Sequence, residues 1–212
     1  MACELPGTSL LEGINQDSDA MPLLYLIGGA NGSGKTTSAL TILPNLGIAE
    51  YVNADAIAAG LSPLNPESVA QQAGRLMLER LKVLAGSNAD FAFETTLAAR
   101  SFAPFLEQCN SRGYTINLLY FWLRSPDLAV ERVARRVASG GHSIPEEVIR
   151  RRYERGRRNL VELYLPLCDE WFIFDNSEPE YRIIAEGRAN QDPVIYNQEL
   201  WEQINRGTND EQ

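Results

Sequence analysis

Lysine is nearly missing from this chain: of 212 residues only Lys35 and Lys82 are lysines, and His142 is the sole histidine. Acidic residues outnumber Lys and Arg by 28 to 19, which gives a formal net charge of -9. That balance speaks against nonspecific binding to nucleic acid or to an anionic membrane, both of which need a spread of positive charge. What positive charge exists is local, because Arg124, Arg132, Arg135, Arg136, Arg150, Arg151, Arg152, Arg155, Arg157 and Arg158 crowd into one segment. Cysteine is scarce too. Cys3, Cys109 and Cys168 are odd in number and lack metal-ligand spacing, a pattern that suits a reducing cytosol without a disulfide framework. No apolar run approaches the ~20 residues that span a bilayer, and no charged start followed by an apolar stretch marks a leader. A cytoplasmic location is expected, with neither nucleic acid nor membrane as partner. Internal repeats and low-complexity tracts are missing as well.

What is present centres on residues 23–43, LLYLIGGANGSGKTTSALTIL. The apolar run 23–27 reads as a buried strand, and Gly29, Gly34, Lys35 and Thr36 then fill the pattern G-x-x-x-x-G-K-[ST] before a helical segment. This is a phosphate-binding loop. Glycines let consecutive backbone N–H groups approach phosphate oxygens, and the following helix turns its positive end to the same anion. The nucleoside-triphosphate-binding set is therefore Gly29, Ala30, Asn31, Gly32, Ser33, Gly34, Lys35, Thr36 and Thr37. Lys35 brings a mobile charge to the β- and γ-phosphates, and the Thr36 hydroxyl can complete the coordination of Mg2+.

Further apolar pieces at 51–52, 90–97, 115–123 and 170–174 alternate with helical stretches at 66–85, 101–111, 126–138 and 145–164. Strands separated by helices of this length predict right-handed βαβ units and an α/β fold with five parallel strands. A hairpin, RIIAEGR against PVIYN, and a helix with Leu200, Trp201 and Ile204 complete the chain. The expected organisation is a loose tail over 1–20, a phosphate-loop domain over 21–178, and an extension over 179–212 packed on the same domain.

Several residues offer chemistry beyond phosphate binding. Asp55 stands at the outgoing end of the second strand, on the sheet edge where ligands of open α/β folds collect. A carboxylate there can take a proton from an acceptor hydroxyl, but it can also cap the following helix or hold magnesium through water. Glu94 leaves the third strand on the same edge and suits magnesium, an acceptor, or a buried hydrogen-bonded role. No apolar strand ends in the Asp-Glu pair that activates water in motor ATPases, which favours transfer to another molecule over hydrolysis. Arg132 and Arg136 share a helical face at i, i+4, with Arg135 beside them, and can converge as a lid on a transferring phosphoryl group. Alternatively these arginines, and those from 150 to 158, form a solvated face paired with Glu131, Glu146, Glu147 and Glu154. His142 follows Gly-Gly at the lid tip, where it is solvated or touches phosphate or acceptor.

Taken together, GGANGSGKTT, NADAIAAGLSP, FETTLAAR, ERVARRVASGGHSIPEEVIRRRYERG and FDNS resemble the zeta-toxin group of P-loop kinases, in its short stand-alone bacterial branch. The likeness covers residues 22–177. It implies a nucleoside-monophosphate-kinase-like topology and phosphorylation of a sugar hydroxyl of UDP-N-acetylglucosamine with ATP and magnesium. A small helical antitoxin is the implied partner. Carried over by position, Lys35 holds the γ-phosphate, Asp55 is the base, and Glu94, Thr95, Thr96 and Arg100 face the UDP-sugar. Arg132 resembles the first lid arginine, and Arg136 or His142 takes the place of the second. Where longer members read Glu-Gly-Thr-Gly, this chain has Glu94-Thr95-Thr96-Leu97, so a kinase of another small hydroxyl compound stands beside the UDP-sugar reading. A nonenzymatic ATP-binding switch is a third.

Overall fold

The computed structural model describes residues 21–141 and 143–206, so the expected tail, Cys3 and His142 lie outside the described residues. Its centre is β1 (Leu23–Gly29), whose residues from Leu24 onward are all buried. On one side β1 pairs in parallel with β3 (Phe91–Thr95), and on the other with β4 (Thr115–Trp122). Outside these lie β2 (Glu50–Val52), parallel to β3, and β5 (Glu170–Asp175), parallel to β4. These are the five expected parallel strands. The hairpin β6 (Arg182–Arg188) and β7 (Val194–Ile195) does not stand apart from them, since β6 runs antiparallel along β5. One seven-stranded mixed sheet results, in the order β2-β3-β1-β4-β5-β6-β7.

Parallel strands covered on both faces read as continuous apolar runs, and the two faces separate by the strand period of two. Leu24, Leu26, Phe91, Phe93, Leu118, Tyr120 and Trp122 enter one core. Tyr25, Ile27, Ala92, Leu119 and Phe121 enter the other.

The helices are α1 (Lys35–Asn45), α2 (Ala54–Leu61), α3 (Ala70–Gly86), α4 (Ala103–Ser111), α5 (Pro126–Ala138), α6 (Glu146–Asn159) and α7 (Gln198–Asn205). Three differ from expectation. The helix after the phosphate loop, which the sequence places at 36–43 with Pro44 and Gly47 ending it, is α1, and it carries Pro44 inside its last turn before the left-handed Gly47 (φ 72°) turns the chain out. The expected helix over 66–85 opens as a 3-10 turn, Pro66–Val69, before α3 begins. Beyond α6 the spiral widens into a π turn, Leu160–Tyr164, and then tightens into a 3-10 turn, Leu165–Leu167. At the far end α7 docks on the sheet by stacking Trp201 on Trp171, ring centroids 5.7 Å apart, and by burying Ile204. No helix among the described residues is long and apolar enough to cross a membrane.

Candidate active site

The outgoing ends of β1, β2 and β3 lie side by side, and the loops that leave them build the site. Gly29, Gly32 and Gly34 adopt φ of 145°, 78° and 84°, a region that side chains rarely enter. At Gly29 space is also limiting, because a Cβ would stand 2.4 Å from the Phe121 carbonyl oxygen. The loop delivers Lys35 to the first position of α1, where it is 6% exposed. Its Nζ donates to the Ala30 carbonyl at 2.9 Å and lies 3.7 Å from Glu94 Oε1. Burial lowers the Lys35 pKa, while the Glu94 and Asp55 carboxylates act in the opposite direction. Ser33 Oγ and Asn31 Oδ1 are buried without a hydrogen-bond partner in this arrangement.

Asp55 lies in the first turn of α2, but it does not cap that helix. Asn53 does, its Oδ1 accepting from the N–H groups of Asp55 (2.8 Å) and Ala56 (3.3 Å). The Asp55 side chain is left exposed and lines a cavity of about 240 Å³. Asn31, Gly32, Gly34, Lys35, Thr36, Thr37, Glu94, Arg132 and Arg136 complete the lining. Of the residues proposed to act, Lys35, Asp55, Arg132 and Arg136 thus meet at one place. Arg132 is fixed there by donating to the Ser177 carbonyl at 2.9 Å. α5 itself starts from a Ser125 cap, whose Oγ accepts from Leu128 N, and packs along α6. Arg135 turns outward to pair with Glu131, and Arg150 pairs with Asp127 and Glu146, which is the solvated-face alternative for those two.

Glu94 is gripped at the loop end of the cavity. Its Oε2 accepts from Thr36 Oγ1 (2.7 Å), Tyr51 OH (2.5 Å) and Asn53 Nδ2 (3.0 Å). The Thr36 hydroxyl and this carboxylate are hard oxygen donors side by side, and they fit a magnesium ion that keeps most of its remaining positions for water and phosphate. Among the described residues no group of three or more His, Cys, Asp or Glu side chains converges on a metal position.

Thr95, Thr96 and Arg100 are not brought into this cavity. Thr95 ends β3, and Thr96 and Arg100 follow in the loop that α6 and its π turn clamp from outside. Thr95 Oγ1 accepts from Leu97 N (3.2 Å), and Leu97 is itself buried with φ 58°. Asn159 Nδ2 donates to the Leu97 carbonyl at 2.8 Å, Tyr164 OH donates to the Ala99 carbonyl, and Gly156 passes so close that a Cβ would be 2.3 Å from the Thr96 carbonyl oxygen. Arg100 is exposed.

Residues missed by the sequence reading are Tyr51, Asn53 and Asn176. Asn176 Nδ2 donates to the Ser33 carbonyl at 2.6 Å and so ties the end of β5 to the phosphate loop. NAD and FDNS hold two of them, but an asparagine next to an acid at a strand end reads as an ordinary turn or cap.

A family model described as zeta toxin matches residues 8–180. An uncharacterized protein of Haemophilus influenzae is 29% identical over 125 residues, 59% of this chain and 88% of that one. Among solved structures, a chain of the AvrRxo1-ORF1:-ORF2 complex with ATP superposes with a TM-score of 0.70 at 18% identity over 88% of this chain. The match covers 64% of that chain, so the present sequence spans less than two thirds of its length. The PezAT chromosomal toxin-antitoxin system of Streptococcus pneumoniae gives 0.61 at 16% identity, covering 92% of this chain and 81% of its own. With the loop and the sheet order, these likenesses establish a P-loop NTPase fold.

Proposed function

The chain belongs to the zeta-toxin family, and we propose that it is an ATP-dependent kinase that phosphorylates a sugar hydroxyl of UDP-N-acetylglucosamine or a related UDP-sugar. One observation carries the kinase reading: an exposed carboxylate, a buried lysine and two arginines line one cavity around a phosphate loop. ATP would seat its β- and γ-phosphates on the N–H groups of residues 29–36 and against Lys35. Asp55, across the cavity, would accept the proton of the acceptor hydroxyl as its oxygen bonds to the γ-phosphorus and the bond to the bridging oxygen of ADP breaks. Arg132 and Arg136 would meet the charge spread over the transferring group, and their helix would help exclude water. Thr36 and Glu94 would hold magnesium, which when bound neutralises the β- and γ-oxygens.

The UDP-sugar rests on family membership alone. A kinase of another small hydroxyl compound is favoured instead by one feature of the geometry: Thr95, Thr96 and Arg100 lie outside the cavity and Glu94 is engaged with the loop. A protein partner in a toxin-antitoxin pair is also proposed, supported by PezAT being such a system. The test is to incubate the purified protein with labelled ATP, magnesium and a panel of acceptors. A labelled UDP-sugar is the expected product. Label on another metabolite would replace the substrate, and nucleotide binding without transfer to any acceptor would overturn the kinase reading in favour of an ATP-dependent switch.

A further inference from the structure

Asn53 faces the start of α2 and the Glu94 carboxylate with opposite ends of one amide. Its Oδ1 must point to the N–H groups of Asp55 and Ala56, because these can only donate, so its Nδ2 must be the atom that faces Glu94 Oε2 and the Tyr51 hydroxyl, the latter at 3.3 Å. The amide orientation is therefore fixed by its neighbours. Tyr51 OH lies closer still to the same Glu94 oxygen, at 2.5 Å, and against a carboxylate oxygen the phenol is the donor. With Thr36 Oγ1, three donors converge on Oε2, and the second oxygen is turned toward Lys35. Glu94 is thus locked at the phosphate end of the cavity, where it cannot swing toward an acceptor without giving up three hydrogen bonds.

We infer that Asn53 is a positioning residue that brackets the two acids, capping the helix that aims Asp55 while holding Glu94 against Thr36, and that Tyr51 is its companion on Glu94. This rests on the kinase reading for its consequence, though not for its geometry. Asparagine is the side chain that fits both duties. Serine and aspartate cap helices as well as asparagine does, but serine has no amide N–H to reach Glu94 and aspartate would set a like charge beside it.

That difference supplies the test. Asn53→Ser, Asn53→Asp and Tyr51→Phe are compared with the wild type by melting temperature, by steady-state kinetics, and by Mn2+ affinity in complex with a non-hydrolysable ATP analogue, read by electron paramagnetic resonance. Asn53→Ser should melt with the wild type because the cap survives. It should lose about tenfold or more in kcat with KM for ATP within about threefold, the pattern of an interaction tied to the chemical step. Asn53→Asp, equally capped, should be slower again, an ordering that a purely structural role does not produce. Mn2+ affinity should fall several-fold in Asn53→Ser and in Tyr51→Phe. Wild-type kcat and Mn2+ affinity in both would overturn the inference. If Asn53→Ser melts early, Tyr51→Phe decides, since it leaves the cap untouched. Should the wild type phosphorylate no acceptor, the kinase reading fails while the Mn2+ titration still decides the bracket.

Discussion

Asp55 has a role that can be separated from its place in the fold. Its backbone N–H is held by Asn53 while its side chain is exposed to the cavity, so Asp55→Asn removes a charge and little else. General-base catalysis contributes about 10²–10⁴-fold, and the variant should lose on that order in kcat while keeping its affinity for an ATP analogue, as measured by calorimetry and single-turnover assay. Normal turnover would remove Asp55 from the mechanism. Gly156 gives the converse case, a residue without chemistry whose replacement should hurt. A methyl group there meets the Thr96 carbonyl, which belongs to backbone and cannot swing away. Gly156→Ala should therefore destabilise the protein by about 1–3 kcal/mol despite its better helix propensity, a loss visible in the urea midpoint. The two residues also mark what the sequence can tell at this scale. Lys35 and Thr36 are legible because phosphate chemistry needs those types at that spacing. Gly156 and Asn159 look like any residues of an Arg-rich helix, since their partners lie in a loop some sixty positions away.

At the scale of elements, the strands are legible because both faces of a parallel sheet are buried, and a largely apolar run as short as 115–122 fits a strand in that setting better than a helix. Short α2 is legible only as the helix for which Asp55 is a candidate cap, two residues past its true Asn53 cap, and the π turn after α6 is not legible at all. Asn159 and Tyr164 are five residues apart, a separation that a regular α-helix would place on different faces, and the wider turn lets both donate to carbonyls of the 97–99 stretch. Nothing local in LVELY announces that, because the demand comes from the loop being clamped. The start of α5 is legible, as Ser125-Pro126-Asp127 combines a cap, a proline at the first position and an early acid. Since α5 carries Arg132 and Arg136, its cap bears on the site. Ser125→Ala leaves the Leu128 N–H without its partner and should cost about 1 kcal/mol, seen as a lower urea midpoint. Because Arg132 is also tethered to the Ser177 carbonyl, the arginines should stay in place, and nucleotide affinity should change less than stability. A large loss of nucleotide affinity at unchanged stability would contradict this account of how α5 is held.

For the molecule as a whole, the closely packed sheet has a consequence at alkaline pH. Burial raises the pKa of Cys109 from 9.0 to about 11, and of Tyr25, Tyr114 and Tyr164 from 10.0 to about 12. Tyr120, Tyr153 and Cys168 are raised for the same first reason. Each of these groups holds its proton more tightly when folded than when unfolded. Below the unfolded pKa both states are protonated and stability is intact. Above it the unfolded chain releases protons that the folded chain keeps, so the slope of stability against pH is negative until the folded pKa is passed. Lys35 acts with the opposite sign, since burial lowers its pKa and the penalty of its buried charge is relieved as pH rises. It is one group against eight, since burial raises the Tyr51 pKa as well. Stability should hold up to about pH 9 and then fall by on the order of ten kcal/mol by about pH 12, enough to unfold a domain of ordinary stability, followed as the urea midpoint across that range. Apart from the exposed Tyr196, tyrosinate absorbance should rise with unfolding rather than ahead of it. Cys109 and Cys168 are the earliest contributors, and replacing both with alanine should move the onset toward about pH 10, where the tyrosines begin. A midpoint that stays level or climbs between these limits would mean that the tyrosines reach water in the native state, contrary to the packing of Tyr25, Tyr114 and Tyr164 in the core.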